Sequence, residues 1–497
     1  MNLVAALLGV AATTPDRPAL VGAGATVSHG EVAARAAHAA ALVGDRVSIG
    51  DRVALIAGNE PAFVTAYLGT LAAGAVAVPL NPAAPSQELA RELSVVAPAL
   101  LLASSEYADL ARRASTQCDA PMAVFVLDAE AGDATDTRPP VARAADDLAV
   151  LLFTAGTAGP PKAAMLTHGS LLANLEQMQG HPGLQIRADD VALGVLPFFH
   201  IFGLNVVLDL ALMAGAAVSL VSHFHPTETV ARVRNDNVSV IAAVPAIYAA
   251  WCGLPESAAP SDAFAGVRLC VSGAAALPDE TARQMHDRFG VHVHEGYGLT
   301  EASPVVSTSA VAPEPRPGSI GPPLPGVEVR LVDRDGEDAL DGDPGEILVR
   351  GANVFPGYFD DAVATATVLT ADGWLRTGDI AVAEADGWLR LVERAKEVII
   401  VSGFNVYPGE VEDAIASHPA VADVAVVGAS HPRTGETVVA YVVARPGAEV
   451  DPVELLRHAG RRLARYKLPT HVDVVSELPR SFAGKLLRRE LTVTDPG

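Results

Sequence analysis

Lysine is scarce in this chain. Of its 35 Lys and Arg residues, only Lys162, Lys396, Lys467 and Lys485 are lysine. A compact ammonium on a thin stem does work that the planar guanidinium of Arg cannot, so a lysine that survives is a candidate for a special position. All four lie in segments that read as working parts: T-A-G-T-A-G-P-P-K at 154–162, E-R-A-K-E-V-I-I-V-S-G-F-N at 393–405, A-R-Y-K-L-P at 464–469 and P-R-S-F-A-G-K-L-L-R-R-E-L at 479–491. In the first, glycines let several backbone N–H groups face one anion, threonines add hydroxyls and Lys162 neutralises charge. That is the chemistry of a phosphate cradle. A plain strand-to-helix turn is the alternative for this loop taken alone. The G-x-x-x-x-G-K-[ST] nucleotide loop is excluded, because two prolines precede the lysine and Ala163 follows it.

The elements around the cradle read as follows. Leu151 to Phe153 ends a strand, and a helical pattern begins near Thr167. Continuous apolar runs (V-A-L-I-A, V-A-V-P-L, A-L-L-L-A, V-F-V-L-D, V-S-L-V, V-I-A-A-V-P) alternate with Ala-rich amphipathic stretches. Such runs imply parallel sheets covered by helices on both faces. From Ser319 the strands become half-exposed and are joined by tight turns, a smaller β-rich unit. After Glu393 the pattern is that of a compact α+β domain.

The 497-residue length calls for more than one domain. Half the residues are hydrophobic and the formal net charge is −23, which excludes a general nucleic-acid binder. Cys118, Cys252 and Cys270 are unclustered and offer no disulfide framework or metal spacing, so a reducing, cytoplasmic setting is expected. The N-terminus lacks a basic leader. The apolar run from Phe63 to Leu80 reads as helix, turn and strand. The run from Ile201 to Ser222 is interrupted by Asp209 and Gly215. Both are read as buried core rather than transmembrane segments.

Five ordered segments carry a resemblance. F-T-A-G-T-A-G-P-P-K-A-A-M-L-T-H, G-Y-G-L-T-E at 296–301, G-W-L-R-T-G-D at 373–379, E-R-A-K-E-V-I-I-V-S-G-F-N-V-Y-P-G-E-V-E at 393–412 and L-P-R-S-F-A-G-K-L-L-R-R-E-L at 478–491 resemble the motifs of the adenylate-forming superfamily, most closely fatty acyl-CoA ligases. An earlier A-G-A-V-A-V-P-L-N-P at 73–82 also fits. The resemblance implies an α/β fold. A large N-terminal AMP- and acyl-binding domain (1–392) would have stacked, mostly parallel sheets and a small β-rich subdomain. A hinge (393–396) would join it to a mobile α+β C-terminal domain (397–497). It also implies two half-reactions, in which a carboxylate attacks the α-phosphate of ATP and a thiol then displaces AMP.

By the same resemblance Thr154, Gly156, Thr157, Gly159 and Lys162 hold phosphates. Tyr297 stacks on adenine, Thr300 contacts the α-phosphate and Glu301 ligates Mg²⁺. Asp379 accepts from the ribose hydroxyls, and Arg394 helps hold ribose or phosphate. Lys485 bridges the substrate carboxylate and ATP, and Lys396 is the hinge. Ser402, Gly403 and Phe404 line the pantetheine path. Lys467 reads equally as a coenzyme A contact or a surface lysine. Ala155, Ala158 and Ala163 stand where the family usually has Ser or Thr, Thr, and Gly, which weakens the expected ATP affinity.

P-F-F-H-I-F-G-L-N at 197–205 resembles the acyl-pocket motif, with His200 near the carboxylate entrance or as a core histidine. Phe198, Phe199, Ile201, Phe202 and Val244 are expected to line the pocket, and Gly273, Ala274 and Ala275 to supply its small residues beside the nucleotide. No Arg or Lys occurs between Val191 and Ala231. A dicarboxylic acid would want one, and an amino acid would want an acidic partner that F-F-H-I-F-G lacks. The expected reaction joins a medium- or long-chain fatty acid to coenzyme A. The alternatives are an aromatic acid, transfer to a separate carrier protein, or a catalytically weak nucleotide- or acyl-binding homologue. A monomer and a homodimer are both compatible with the sequence.

Overall fold

In the computed structural model of the chain the described residues are 2–22, 25–127, 137–154, 161–333, 336–340, 342–394, 399–406, 408–479 and 491, without the side chains of 392–394 and 405. Two sheets organise the N-terminal part. The eight-stranded sheet runs, edge to edge, Val305–Thr308, Val293–Gly298, Leu269–Ser272, Val240–Ala243, Val191–Gly194, Ala217–Leu220, Pro18–Val21 and Thr26–Ser28. Its six inner strands are parallel and the two outermost pair antiparallel. The six-stranded sheet runs Val124–Leu127, Leu100–Ser104, Arg52–Ile56, Val76–Pro79, Leu148–Thr154 and Lys162–Thr167. It too is parallel until its last pair. The inner strands Val76–Pro79, Leu100–Ser104, Val240–Ala243 and Leu269–Ser272 are buried along their length, as continuous Val/Ala/Leu runs require. The helix Pro61–Ala72 is buried almost all round, as its apolar sequence implies.

A five-stranded antiparallel sheet follows, ordered Ser319–Gly321, Leu389–Arg394, Leu375–Ala383, Gly345–Gly351 and Val327–Val332. The C-terminal part has its own sheet, in which Gly435–Ala444 is central, with the helices Pro408–Ala416 and Pro452–Ala459 beside it and a separate hydrophobic cluster. None of the described helices is long and apolar enough to cross a membrane.

Parallel α/β sheets bind ligands beyond the carboxyl ends of their strands. Three segments with candidate residues leave their strands there: Thr154 ends Leu148–Thr154, Gly273 follows Leu269–Ser272, and Thr300 follows Val293–Gly298. The helix begins where expected, after Thr167, and a strand precedes it. Lys162 opens a strand, Lys162–Thr167, antiparallel to Leu148–Thr154, with Thr154 opposite Lys162. The helix His168–Gly180 starts after it, capped by Thr167, whose side-chain oxygen accepts from Ser170 N–H at 3.0 Å. Ala163 is fully buried in that strand, so the core rather than a phosphate surrounds its methyl group.

The Asp209 carboxyl is buried in the core. It ends a π-helical segment, Phe202–Asp209, and is fully buried. Tyr67 Oη donates to its Oδ2 at 2.9 Å, while Oδ1 has no partner among the described residues. Burial pushes its pKa up to about 8, against the opposing effect of the Tyr67 hydrogen bond. In the unfolded chain the group ionises near 4, so stability falls as pH rises from there towards 8. Asp209→Asn is expected to abolish that slope. Between pH 6 and 7.5 the variant should gain roughly 2 kcal/mol on the wild type, measured by denaturant unfolding at both pH values. A constant difference would show that Asp209 does not hold its proton.

Candidate active site

Two side-chain relays converge at the strand ends. In the first, Tyr297, from strand Val293–Gly298, donates its phenol to Asp379 Oδ2 at 2.7 Å. Asp379 lies in strand Leu375–Ala383 of the antiparallel sheet, and both residues are buried. In the second, Lys162 Nζ sits 5.4 Å from the centre of the Tyr358 ring, and the Tyr358 hydroxyl donates to Glu301 Oε1 at 2.6 Å. Glu301 lies in the 3-10 turn Thr300–Ala302. Its backbone carbonyl accepts from Phe355 N–H at 2.9 Å, which ties the turn to the segment that carries Tyr358. Tyr358 is a site residue that sequence reasoning missed. Nothing in F-P-G-Y distinguishes it from a core tyrosine, and only the fold brings it between Lys162 and Glu301.

One cavity joins these groups. Thr154, His200, Gly273, Ala274, Tyr297, Thr300, Glu301, Thr377 and Asp379 line its polar end. Met178, Leu184, Ile186, Val206, Leu210, Val240, Ile241, Leu269 and Val271 line the rest. Ile201 and Phe202 belong to this wall as expected, but four of the other expected residues do not. Phe198 is buried in the core, with its ring 5.5 Å from that of Phe63. Phe199 and Val244 face a different cavity, and Ala275 lies outside the lining. Alternation along the P-F-F-H-I-F turn sends adjacent side chains to different compartments, which a linear motif does not display. Met178, Leu184 and Ile186 come from the end of helix His168–Gly180 and the loop after it, a contribution that sequence reasoning also missed.

His200 stands at the junction and lines this cavity and two others. Burial lowers its pKa to about 4, so the imidazole is neutral at pH 7. Phe202 N–H donates to Nδ1 at 3.3 Å, which leaves Nε2 to carry the ring proton. The ring is therefore a neutral donor rather than a cation.

A second cavity, of about 740 Å³, reaches the same histidine from outside. Asn81, Phe199, His200, Phe202 and Val244 line it from the N-terminal part, and Ser402, Gly403, Phe404, Arg433 and Tyr466 from the C-terminal part. Ser402 and Gly403 form a tight turn with φ of 52° and 83°. The Phe404 ring stacks on Tyr466 at 4.4 Å.

Lys467 is not in that channel. It is 6% exposed and donates to Glu88 Oε1 at 2.6 Å and to Glu410 Oε1 at 2.9 Å, so neither of the two roles expected for it matches its position. Arg394 pairs through its backbone with Asp379 across neighbouring strands. Gly156, Thr157, Gly159, Lys396 and Lys485 lie outside the described residues, as do Ala155 and Ala158.

The comparisons agree with this arrangement. The family model "AMP-binding enzyme" matches residues 9–359, and "AMP-binding enzyme C-terminal domain" matches 410–485. The long-chain-fatty-acid–CoA ligase of Bacillus subtilis is 32% identical, over 99% of this chain and 94% of its own. The 4-coumarate–CoA ligase 2 of Oryza sativa is 35% identical, over 97% and 90%. A malonyl-CoA ligase in a ternary product complex with methylmalonyl-CoA and AMP superposes with a TM-score of 0.83 at 35% identity, over 94% of this chain and 98% of that one. With a polar strand-end cavity, an apolar extension and a channel from outside meeting at one histidine, the chain belongs to the AMP-binding enzyme family and is an acid–thiol ligase of the acyl-CoA synthetase type, acting with ATP and coenzyme A.

Proposed function

We propose that the acid is an apolar monocarboxylic acid, first of all a medium- or long-chain fatty acid. The observation that carries this reading is the apolar extension of the first cavity, whose lining contains no Lys or Arg among the described residues. The second carboxylate of a malonyl-type substrate would be buried there without a partner, at a cost of several kcal/mol. Aliphatic walls of Met, Leu, Ile and Val suit a hydrocarbon chain. An aromatic acid is the second reading, favoured by the 35% identity to the coumarate ligase.

In the first half-reaction the carboxylate oxygen attacks the α-phosphorus of ATP and pyrophosphate leaves. Thr154 and Lys162, with the loop between them, would neutralise the β- and γ-phosphates. Tyr297 would stack on adenine, Asp379 would accept from the ribose, and Thr300 would donate to the α-phosphate. Glu301 fits a Mg²⁺ site. It would supply one carboxylate beside the phosphates, and Mg²⁺ held there would neutralise charge on the leaving group. Neutral His200, protonated on Nε2, would donate to the acyl carboxylate. In the second half-reaction the coenzyme A thiol enters past Ser402, Gly403 and Phe404, attacks the acyl carbonyl and expels AMP. The domain boundaries of 1–392, 393–396 and 397–497 belong to this proposal, with the hinge at Lys396.

Acid-dependent pyrophosphate release with Mg-ATP, over short-, medium- and long-chain, aromatic and dicarboxylic acids, with and without coenzyme A, tests the reading. Fatty acids are expected to give the highest kcat/KM, at least tenfold above malonate, with turnover sustained only when coenzyme A is present. A preference for malonate would overturn it. Sustained turnover only with a carrier protein would replace coenzyme A as the acceptor.

A further inference from the structure

Between the two parts of the chain lies a buried cluster with more acids than bases. Helix α1 (Ser86–Val96) of the N-terminal part presents Glu88 and Glu92, four residues apart and so on one face. Helix α2 (Pro408–Ala416) and the turn Arg465–Lys467 of the C-terminal part present Glu410, Asp413, Tyr466 and Lys467. Lys467 is shared between Glu88 and Glu410. The other oxygen of Glu88 accepts from Ala464 N–H at 3.1 Å, a second bond between the two parts. Arg91 turns outward and donates to the Arg462 carbonyl at 3.0 Å. That leaves Glu92, which is 9% exposed, lines the cavity that also reaches Thr154 and Pro161, and has an Oε2 with no partner among the described residues.

We propose that Glu88 and Lys467 form a latch that seats the C-terminal domain for thioester transfer, and that Glu92 must carry a proton for the latch to close. This rests on the two-step coenzyme A reading above. Glu88 and Lys467 are positioning residues. Lys467 is joined to Tyr466, Tyr466 stacks on Phe404, and Phe404 borders the channel to His200. Closing the latch therefore sets the channel wall.

The charge balance requires the proton. Glu88, Glu92 and Glu410 would place three carboxylates around one ammonium. Burial opposes ionisation of Lys467, but the Glu88 and Glu410 carboxylates outweigh it and hold the ammonium charged. Burial first, then repulsion from Glu88 and Glu410, pushes Glu92 up to about 8, while Lys467 and Arg91 pull the other way. When the domains separate, Glu92 returns to water and to the ordinary carboxylate range near 4. Closure then takes up a proton, and it weakens as pH rises from about 4 towards 8.

Glu88→Gln and Glu92→Gln test this in the full chain with an acid that supports pyrophosphate release. Three readouts are needed: single-turnover pyrophosphate release without coenzyme A, acyl transfer to coenzyme A from preformed adenylate, and docking followed by a donor–acceptor dye pair across the two domains. Glu88→Gln is expected to slow transfer about tenfold at every pH and leave pyrophosphate release within twofold. Glu92→Gln mimics the protonated acid. Its transfer rate relative to wild type is expected to climb at least fivefold between pH 6 and 8, with pyrophosphate release again unchanged. The thiol's own ionisation cancels in that ratio. A Glu92→Gln profile parallel to wild type, or equal loss of both steps in Glu88→Gln, would overturn the proposal. If wild type transfers nothing to coenzyme A, the acceptor reading falls, and the dye-pair signal still decides the latch by the same pattern.

Discussion

Gly403→Ala is expected to lower coenzyme A-dependent turnover by about 100-fold while leaving the single-turnover release of pyrophosphate unchanged. Gly403 has a φ of 83°, in the left-handed region where an L side chain is strained. A Cβ built there would lie 2.6 Å from Val244 Cβ and would overlap its Cγ1. Val244 belongs to the N-terminal wall of the channel and Gly403 to the C-terminal wall, so the clash falls across the docking contact. Backbone strain of roughly 1–3 kcal/mol, added to displacement of the valine, accounts for two orders of magnitude in rate. Adenylation as read here does not use this contact. Adding Val244→Ala removes the overlap but not the strain, and partial recovery is expected. Loss of pyrophosphate release in Gly403→Ala would mean that the turn serves the first half-reaction instead.

Lys485→Ala is expected to have the opposite signature. Acid-dependent pyrophosphate release should fall by roughly 100- to 1000-fold, the usual loss on removing one preorganised charge from a developing phosphoryl transition state. Transfer to coenzyme A from supplied acyl-adenylate should persist. Lys485 follows Ala-Gly in a chain that otherwise uses Arg, within a segment that resembles the family's adenylating loop. A bridging role between a carboxylate and a phosphate oxygen suits a point charge better than a fork, so Lys485→Arg should rescue less than a tenth of the activity. Equal activity in wild type and Lys485→Ala would remove the lysine from the mechanism.

These two residues mark what could be read at each level. The family, the order of its motifs and the mostly parallel fold were legible in sequence, because apolar runs of strand length and Gly-rich turns impose local geometry whatever surrounds them. The pairing of Thr154 with Lys162 was not, since two strands joined by a long turn look the same as a strand leading to a helix until their backbones pair. The lining of the first cavity was legible only in part. F-F-H-I-F supplies some of it, yet Phe198 lies in the core and Phe199 lines the second cavity, because side-chain direction in an irregular turn depends on what packs against it.

Tyr358 and Glu92 carried no signal at all. Each gains its significance from a partner far away in sequence, Glu301 for one and the Lys467 cluster for the other. Lys467 shows the limit most clearly. The scarcity of lysine drew notice to it, but neither a coenzyme A contact nor a surface position anticipates the Glu88 carboxylate 379 residues away. By itself the sequence determined which chemistry the chain carries and in what order its parts occur, because reactive groups and backbone propensities are local properties. The tertiary structure alone decided which charges are paired and which side chains line each cavity, because burial and long-range contact set those energies and neither exists before the chain folds.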